Sequence, residues 1–416
     1  MRRVLLSRPV HSAATAPATI RTAPAGRGSS PGRLESLDVL RGLVIVLMAL
    51  DHTRDFFHYG AFAGWDPLDL SKTSPALFLT RWITHFCAPV FVFLAGTGAY
   101  LSAARGKSKR ELSWFLFTRG CWLVVLELTW VKCLGWTFAF DFTSFWLIVI
   151  WALGVSMIVL AVLIHLPIWA IAAFGLILMG GHNSLDGIEP ESWGRWGPLW
   201  RLLHAGGTFE FPSGVTIGAG YPLVPWIGVM ASGYAFGQIV VMEPQRRRRF
   251  MLGLGLGACA LFVLLRGTNL YGNTTPWTPK PNFLDTIFSI LDCRKYPPSL
   301  SYLLMTLGPA LLILTALDRG IPRWLKPALV FGRVPLFFYL VHLPLIHGLS
   351  VAVHWFRFHD ARWLVGVPGA KPPEQAGYGL LGTCVAWIIV LLILFPVCRW
   401  FAELKRRRRD AWLSYL

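Results

Sequence analysis

Acid is what this chain has least of. Asp and Glu number 21 against 39 Lys and Arg in 416 residues, and residues 1–33 contain none. Charged side chains of either sign make up 14% of the chain while 55% is hydrophobic, which is too little polar surface to coat several water-soluble domains. Cysteine is also thin: the seven residues include no Cys-x-x-Cys pair. Neither a thiolate metal site nor a dithiol redox motif is therefore supported, and the expectation is no metal. An odd count leaves at least one thiol unpaired. No nucleophile elbow, phosphate-binding loop, metalloprotease helix or internal repeat is present. Gly253, Gly255 and Gly257 follow no strand, so they read as helix-packing glycines rather than a nucleotide fingerprint.

What the chain has instead is long apolar runs, with 20 Trp and 28 Phe. Stretches of about 20 apolar residues can cross a bilayer as helices. About ten occur, at 37–57, 78–103, 112–133, 143–164, 166–182, 220–241, 250–268, 299–317, 328–350 and 378–402. The expected fold is all-α, a polytopic membrane bundle over residues 34–404, with a basic disordered arm at 1–33 and a basic tail at 405–416. An acid-poor arm containing Arg and Ser also has the composition of an organellar presequence.

The formal charge of +18 suggests nucleic acid only until its placement is read. Basic clusters fall in the arm and at 105–110, 246–249, 319–326 and 405–409. Between the proposed spans, each lands on one side. That is the positive-inside pattern, with both termini cytoplasmic in a bacterial inner membrane and no nucleic-acid partner. The opposite side receives 51–73, 181–218, 266–298 and 354–375, rich in Trp, Gly, Pro, Asp and His. Chemistry or polar recognition is expected there.

The first span, LDVLRGLVIVLMALDHTRDFF, carries Asp38 and Arg41 at one end and Asp51, His52 and Asp55 at the other. Ionisable groups are costly in hydrocarbon and commonly persist there for function. Helical geometry sets Arg41 and His52 on nearly one face, ~16 Å apart. Asp38, three residues before Arg41, can pair with it. Asp55, three after His52, can fix the imidazole tautomer and support the ring when it accepts a proton. His58 follows as a second reachable base. A snorkelling arginine with polar interfacial neighbours is the structural alternative.

The ninth span is a second polar stretch, with Arg333 at its start, Pro335 and Pro344 to kink it, Tyr339 and His342 sharing a face, and His347 beyond. Proline removes backbone hydrogen bonds that neighbours or water must replace inside a membrane. In the third span Arg119 and Glu127, eight residues apart, read as an internal structural pair.

These motifs carry a family resemblance. Ser36-Leu37-Asp38-Val39-Leu40-Arg41-Gly42, the apolar run to Asp51-His52, Pro89-Val90-Phe91-Val92-Phe93-Leu94-Ala95-Gly96, and the Tyr-before-His pattern of Gly332 to His342 resemble, in order, spans of the membrane acetyltransferase family represented by lysosomal heparan-alpha-glucosaminide N-acetyltransferase. The likeness covers most of residues 34–402. It implies transfer of an acetyl group from cytosolic acetyl-CoA to an amine or hydroxyl of a glycan or amino sugar on the outer side, assisted by a histidine. The lysosomal enzyme's functional histidine lies in the loop after the first span, with an Asn corresponding to His52. The wider membrane acyltransferase superfamily often ends an Arg-containing first span in His, which favours His52 over His58.

The expected site is then His52, His58 and Asp55 for catalysis, with Asp38, Arg41, Arg333, Tyr339 and His342 for CoA and substrate. A polar path along the first span is expected to join the two ends. The lipid bilayer is the other partner, and a homodimer is one open assembly. The competing class is a solute or proton-coupled transporter using the same buried groups, and a third is a membrane scaffold. No inverted repeat supports the transporter.

Overall fold

The computed structural model describes residues 34–408 and 410–416; the basic arm at 1–33 lies outside them. Helices dominate. In chain order they are α1 (Glu35–Phe57), α2 (Pro75–Thr84), α3 (Cys87–Ala104), α4 (Lys109–Leu126), α5 (Val149–Leu163), α6 (Ile168–Gly181), α7 (Leu223–Val240), α8 (Pro244–Thr268), α9 (Phe283–Leu291), α10 (Leu300–Leu317), α11 (Ala328–Arg333), α12 (Pro335–Phe358) and α13 (Leu380–Arg407). Short helical turns fill several connections.

Among the described residues, eight helical segments are long and apolar enough to cross a membrane, α2 and α3 counting as one. Two more of the expected spans are helical but fall outside that set. The first, α1, carries Glu35, Asp38, Arg41, Asp51, Arg54 and Asp55, and α5 is only 15 residues long. Large apolar side chains such as Leu381, Leu392, Val263 and Trp169 point outward from α13, α8 and α6. An apolar outer surface of that extent suits lipid rather than water. The protein is a multi-pass integral membrane protein.

The segment at 143–164 is not helical throughout. Ser144–Leu147 forms strand β1, which joins β2 (Gly207–Glu210) and β3 (Thr216–Ala219) in a sheet of order β1-β3-β2. β1 runs parallel to β3, with Ser144 opposite Thr216, and β2 runs antiparallel to it. The span at 328–350 is also divided. Val334, at φ −134° and ψ 51°, separates α11 from α12, and Pro335 occupies the first turn of α12, where its missing N–H costs little. Pro344 lies inside α12, which runs on through it. The carbonyl it strands four residues back, on Leu340, accepts instead from the Trp130 indole at 2.8 Å.

At the centre stands α1, packed against α2, α3, α11, α12 and α13, with Val39, Ile45 and Ala49 fully buried. Two glycines explain its closeness to α11. A Cβ on Gly42 would lie 1.9 Å from the Ala328 carbonyl oxygen, and one on Gly332 would lie 1.8 Å from that of Asp38. Only hydrogen fits at either position. Gly96 and Gly233 do the same for α3 against α7. Of Gly253, Gly255 and Gly257 in α8, Gly255 meets α10, whereas the other two face open space. All seven cysteines are free thiols.

Candidate functional site

The polar residues of α1 open into different cavities at its two ends. At the Arg41 end is a cavity of about 1510 Å³ walled by Asp38, Arg41, Arg105, Arg119, Arg323, Lys326, Arg333, Arg399 and Arg406, with apolar positions such as Leu37 and Phe395. The Arg41 guanidinium donates to Asp38 Oδ1 and to the Leu94 carbonyl, each at 3.1 Å, and it lies over Gly98. Those bonds fix its direction while leaving it at the cavity wall. Arg333 reaches the same wall and pairs with Glu35 at 3.3 Å. Basic residues from three separate sequence clusters, 105–110, 319–326 and 405–409, thus converge on one end of the bundle. Arg247 and Arg248 are bound to Asp318, at 2.7 and 2.9 Å, beside the 319–326 cluster.

At the other end of α1 is a cavity of about 270 Å³ lined by Asp51, His52, Arg54, Asp55, Arg81, Trp136, Lys295, Tyr296 and Tyr339, among others. Asp51 is its electrostatic hub. It accepts from Arg54, from Arg81 Nη1 at 2.9 and 3.0 Å, and from the Thr84 hydroxyl at 2.8 Å. The buried Arg54 and the part-buried Arg81 thereby share one carboxylate beside His52.

The His52 ring packs edge-on against Trp136, 5.2 Å between centroids, and tilts toward His342 at 5.3 Å. His52 Nδ1 lies 3.6 Å from Asp55 Oδ2, the orienting geometry expected from their spacing but longer than a hydrogen bond. The His342 ring has a settled tautomer. Its Nδ1 faces the Tyr339 and Phe338 carbonyls at 2.7 and 3.1 Å and so carries the hydrogen, which leaves Nε2 as an acceptor. Neither His342 Nε2 nor the buried Tyr339 hydroxyl has a hydrogen-bond partner among the described residues. Of the two residues Tyr339 lines the cavity, and an unsatisfied polar atom there is available to a substrate.

His58 sits elsewhere. It ends α1, accepts from the Gly60 N–H through Nδ1 at 3.0 Å, and lines a third cavity of about 460 Å³ with Gly60, Trp65, Asp66 and Lys72. Arg54, Asp55 and Pro67 line both this cavity and the His52 cavity. Burial and the nearby Arg54 charge hold the His58 imidazole below its ordinary value of 6.5, so it is neutral at physiological pH. His347, next along α12, is absorbed in packing: its nitrogens meet the Gly135 and Leu364 carbonyls at 3.1 and 2.6 Å, and Phe138 stacks on it at 4.0 Å.

The structure therefore gathers Asp38, Arg41 and Arg333 at one cavity and His52, Asp55 and Tyr339 at another, with His342 against His52 and His58 next door. Two expectations differ. No residue lines both the Arg41 and the His52 cavities, so the polar path along α1 is interrupted. Arg119 and Glu127 serve different ends: Arg119 walls the basic cavity, while the Glu127 carboxylate accepts from the Trp151 N–H at 2.9 Å at the start of α5. Sequence reading also passed over the hub made by Asp51, Arg81 and Thr84, and over Trp136, Lys295 and Tyr296. Arg81 gave a signal, being a charge inside an apolar run. His85 is buried against Tyr302 and lines none of these cavities.

Residues 33–268 match the family described as heparan-alpha-glucosaminide N-acetyltransferase, catalytic. The chain belongs to that family. The match spans α1 to α8 and so includes Asp38, Arg41, His52, Asp55 and His58. Arg333, Tyr339 and His342 lie beyond it, in the part where the Gly332 to His342 resemblance was read. No curated protein matches the chain.

Proposed function

We propose that the protein is a transmembrane acyltransferase, moving an acetyl group from acetyl-CoA at the Arg41 end to an amine or hydroxyl of a glycan or envelope sugar at the His52 end. The observation that carries this reading is the pair of cavities on α1 of a chain in this family: one large and basic, the other small and lined by His52, whose ring meets that of His342. Phosphates and the diphosphate of CoA match the guanidiniums of Arg41 and Arg333, since planar forks bind phosphate oxygens in pairs. Asp38 orients Arg41.

At the other end His52 is the base, Asp55 its orienting partner, and His342 and Tyr339 the groups that place the acceptor or the thioester. The acceptor nitrogen or oxygen attacks the acetyl carbonyl as His52 takes its proton. The new C–N or C–O bond forms, the C–S bond breaks, and the proton returns to the departing thiolate. The interrupted path between cavities favours a second version, in which a histidine nitrogen first accepts the acetyl group from the thioester and then passes it to the acceptor.

The convergence of basic clusters at the Arg41 end supports about ten spans with both termini cytoplasmic, in a bacterial inner membrane. Reporter fusions after Arg249 and after residue 416 should mark cytoplasm, and one near Gly187 the outer side. The activity itself is tested in proteoliposomes carrying labelled acetyl-CoA on the Arg41 side and an amino sugar on the other. Acetylated sugar supports the reading. Movement of solute or protons without consumption of acetyl-CoA would make the protein a transporter.

A further inference from the structure

A cluster of metal-ligand type lies away from these cavities. His182 follows α6, Asp186 comes four residues later, and His204 lies in the helical turn Arg201–Ala205. Their candidate donor atoms all fall within 4.8 Å of one another. Both histidines are 2% exposed, a rare degree of burial for a polar ring unless something satisfies it. His204 Nε2 stands 3.0 Å from Asp186 Oδ1, and its Nδ1 has no hydrogen-bond partner among the described residues. Neither ring nitrogen of His182 makes a well-formed hydrogen bond; its polar neighbours are His204, Asp186 and the Pro298 backbone. The carboxylate is braced from behind. Asn183 Nδ2 donates to Asp186 Oδ2 at 2.8 Å, while Asn183 Oδ1 accepts from the Leu300 N–H at 2.8 Å. Outer-sphere bonds of this kind fix a ligating carboxylate in metal sites.

We propose that His182, Asp186 and His204 bind a divalent cation of the zinc class, which clips the end of α6 to the segment 201–205. Two imidazoles and a carboxylate are a donor set that zinc takes readily, with a fourth position left for water. Ligands at ~2.1 Å on either side of an ion lie at most ~4.2 Å apart, so the cluster closes on a cation by several tenths of an ångström of side-chain rotation. The expectation of no metal rested on the absence of paired cysteines, and this site uses none. It is independent of the acyltransferase reading.

The test is a zinc chloride titration of the full chain, purified in detergent without a histidine tag, stripped with chelator and followed by calorimetry and thermal unfolding. The wild type should bind one equivalent more than a His182→Ala/His204→Ala variant and unfold at a higher temperature when loaded. Asp186→Asn should lose that equivalent, and Asn183→Ala should weaken it by about 10–100-fold, as for an outer-sphere partner. Equal zinc binding by the wild type and the variants, or none by the wild type, overturns the proposal. Where an alanine variant does not fold, X-ray absorption of the zinc-loaded wild type decides. A shell with two imidazoles and an oxygen supports the site, and one without imidazole refutes it.

Discussion

His52 on α1 and His342 on α12 hold their rings 5.3 Å apart, inclined at 52°. His342 donates its Nδ1 hydrogen to its own helix and offers Nε2, while His52 faces Asp55. The pair can thus pass a proton, or divide the work of holding an acyl group and activating its acceptor, at the wall of a cavity that His52 lines together with Tyr339, Trp136 and the charged Asp51, Asp55, Arg81 and Lys295.

Arg41 governs the opposite end. Arg41→Ala should weaken acetyl-CoA binding by about 1.5 to 3 kcal/mol, the worth of a hydrogen bond to a charged group, in a protein that still extracts as a folded species. Arg41→Lys should recover part of the loss, because Lys lacks the planar fork. Calorimetry with acetyl-CoA reads both, and unchanged affinity in folded Arg41→Ala would return Arg41 to a packing role beside Asp38.

Asp51 should matter for stability more than for chemistry. Arg54 is 2% exposed, and Asp51→Asn removes the counter-charge of Arg81 and the nearer of the two carboxylates facing Arg54, the other being Asp55 at 3.7 Å. Removing one partner of a buried ion pair costs about 3 to 5 kcal/mol. A marked fall in unfolding temperature in detergent is expected, larger than that for Asp55→Asn, whose carboxylate is 39% exposed. Equal effects would show that Asp51 is no hub.

His58 contributes a pH dependence of defined sign. Its folded value lies below 6.5 because of burial and Arg54, so the unfolded chain takes up the proton first. The contribution to stability is complete above about pH 6.5 and is lost as pH falls from there through the lower folded value. His58→Gln should flatten the decline in unfolding temperature between pH 7 and 5. A decline of unchanged slope would remove His58 from this role.

How much of this was legible in the sequence depended on range. The α1 pattern was local: three-residue spacings gave Asp38 beside Arg41 and Asp55 beside His52, and both pairs are present. Ser144–Leu147 was read as the start of a helix because an apolar run has no period that tells strand from helix, and its partner β3 lies far along the chain. Glu127 was matched to Arg119 on its own helix face, whereas its partner is the start of α5. The contact of His52 with His342, the convergence of basic clusters on one cavity and the clustering of His182 with His204 are products of helix packing. No spacing in the chain announces them.

The measurement that bears most directly on the central claim is single-turnover acetyl transfer by the His52→Ala protein, with acetyl-CoA binding followed in the same preparation. General-base catalysis is typically worth about 10² to 10⁴ in rate. The account predicts a loss of that size with CoA affinity retained, a smaller loss for His58→Ala, and impaired placement of acceptor or CoA for His342→Ala. Full acetyl transfer by both His52→Ala and His58→Ala would contradict it.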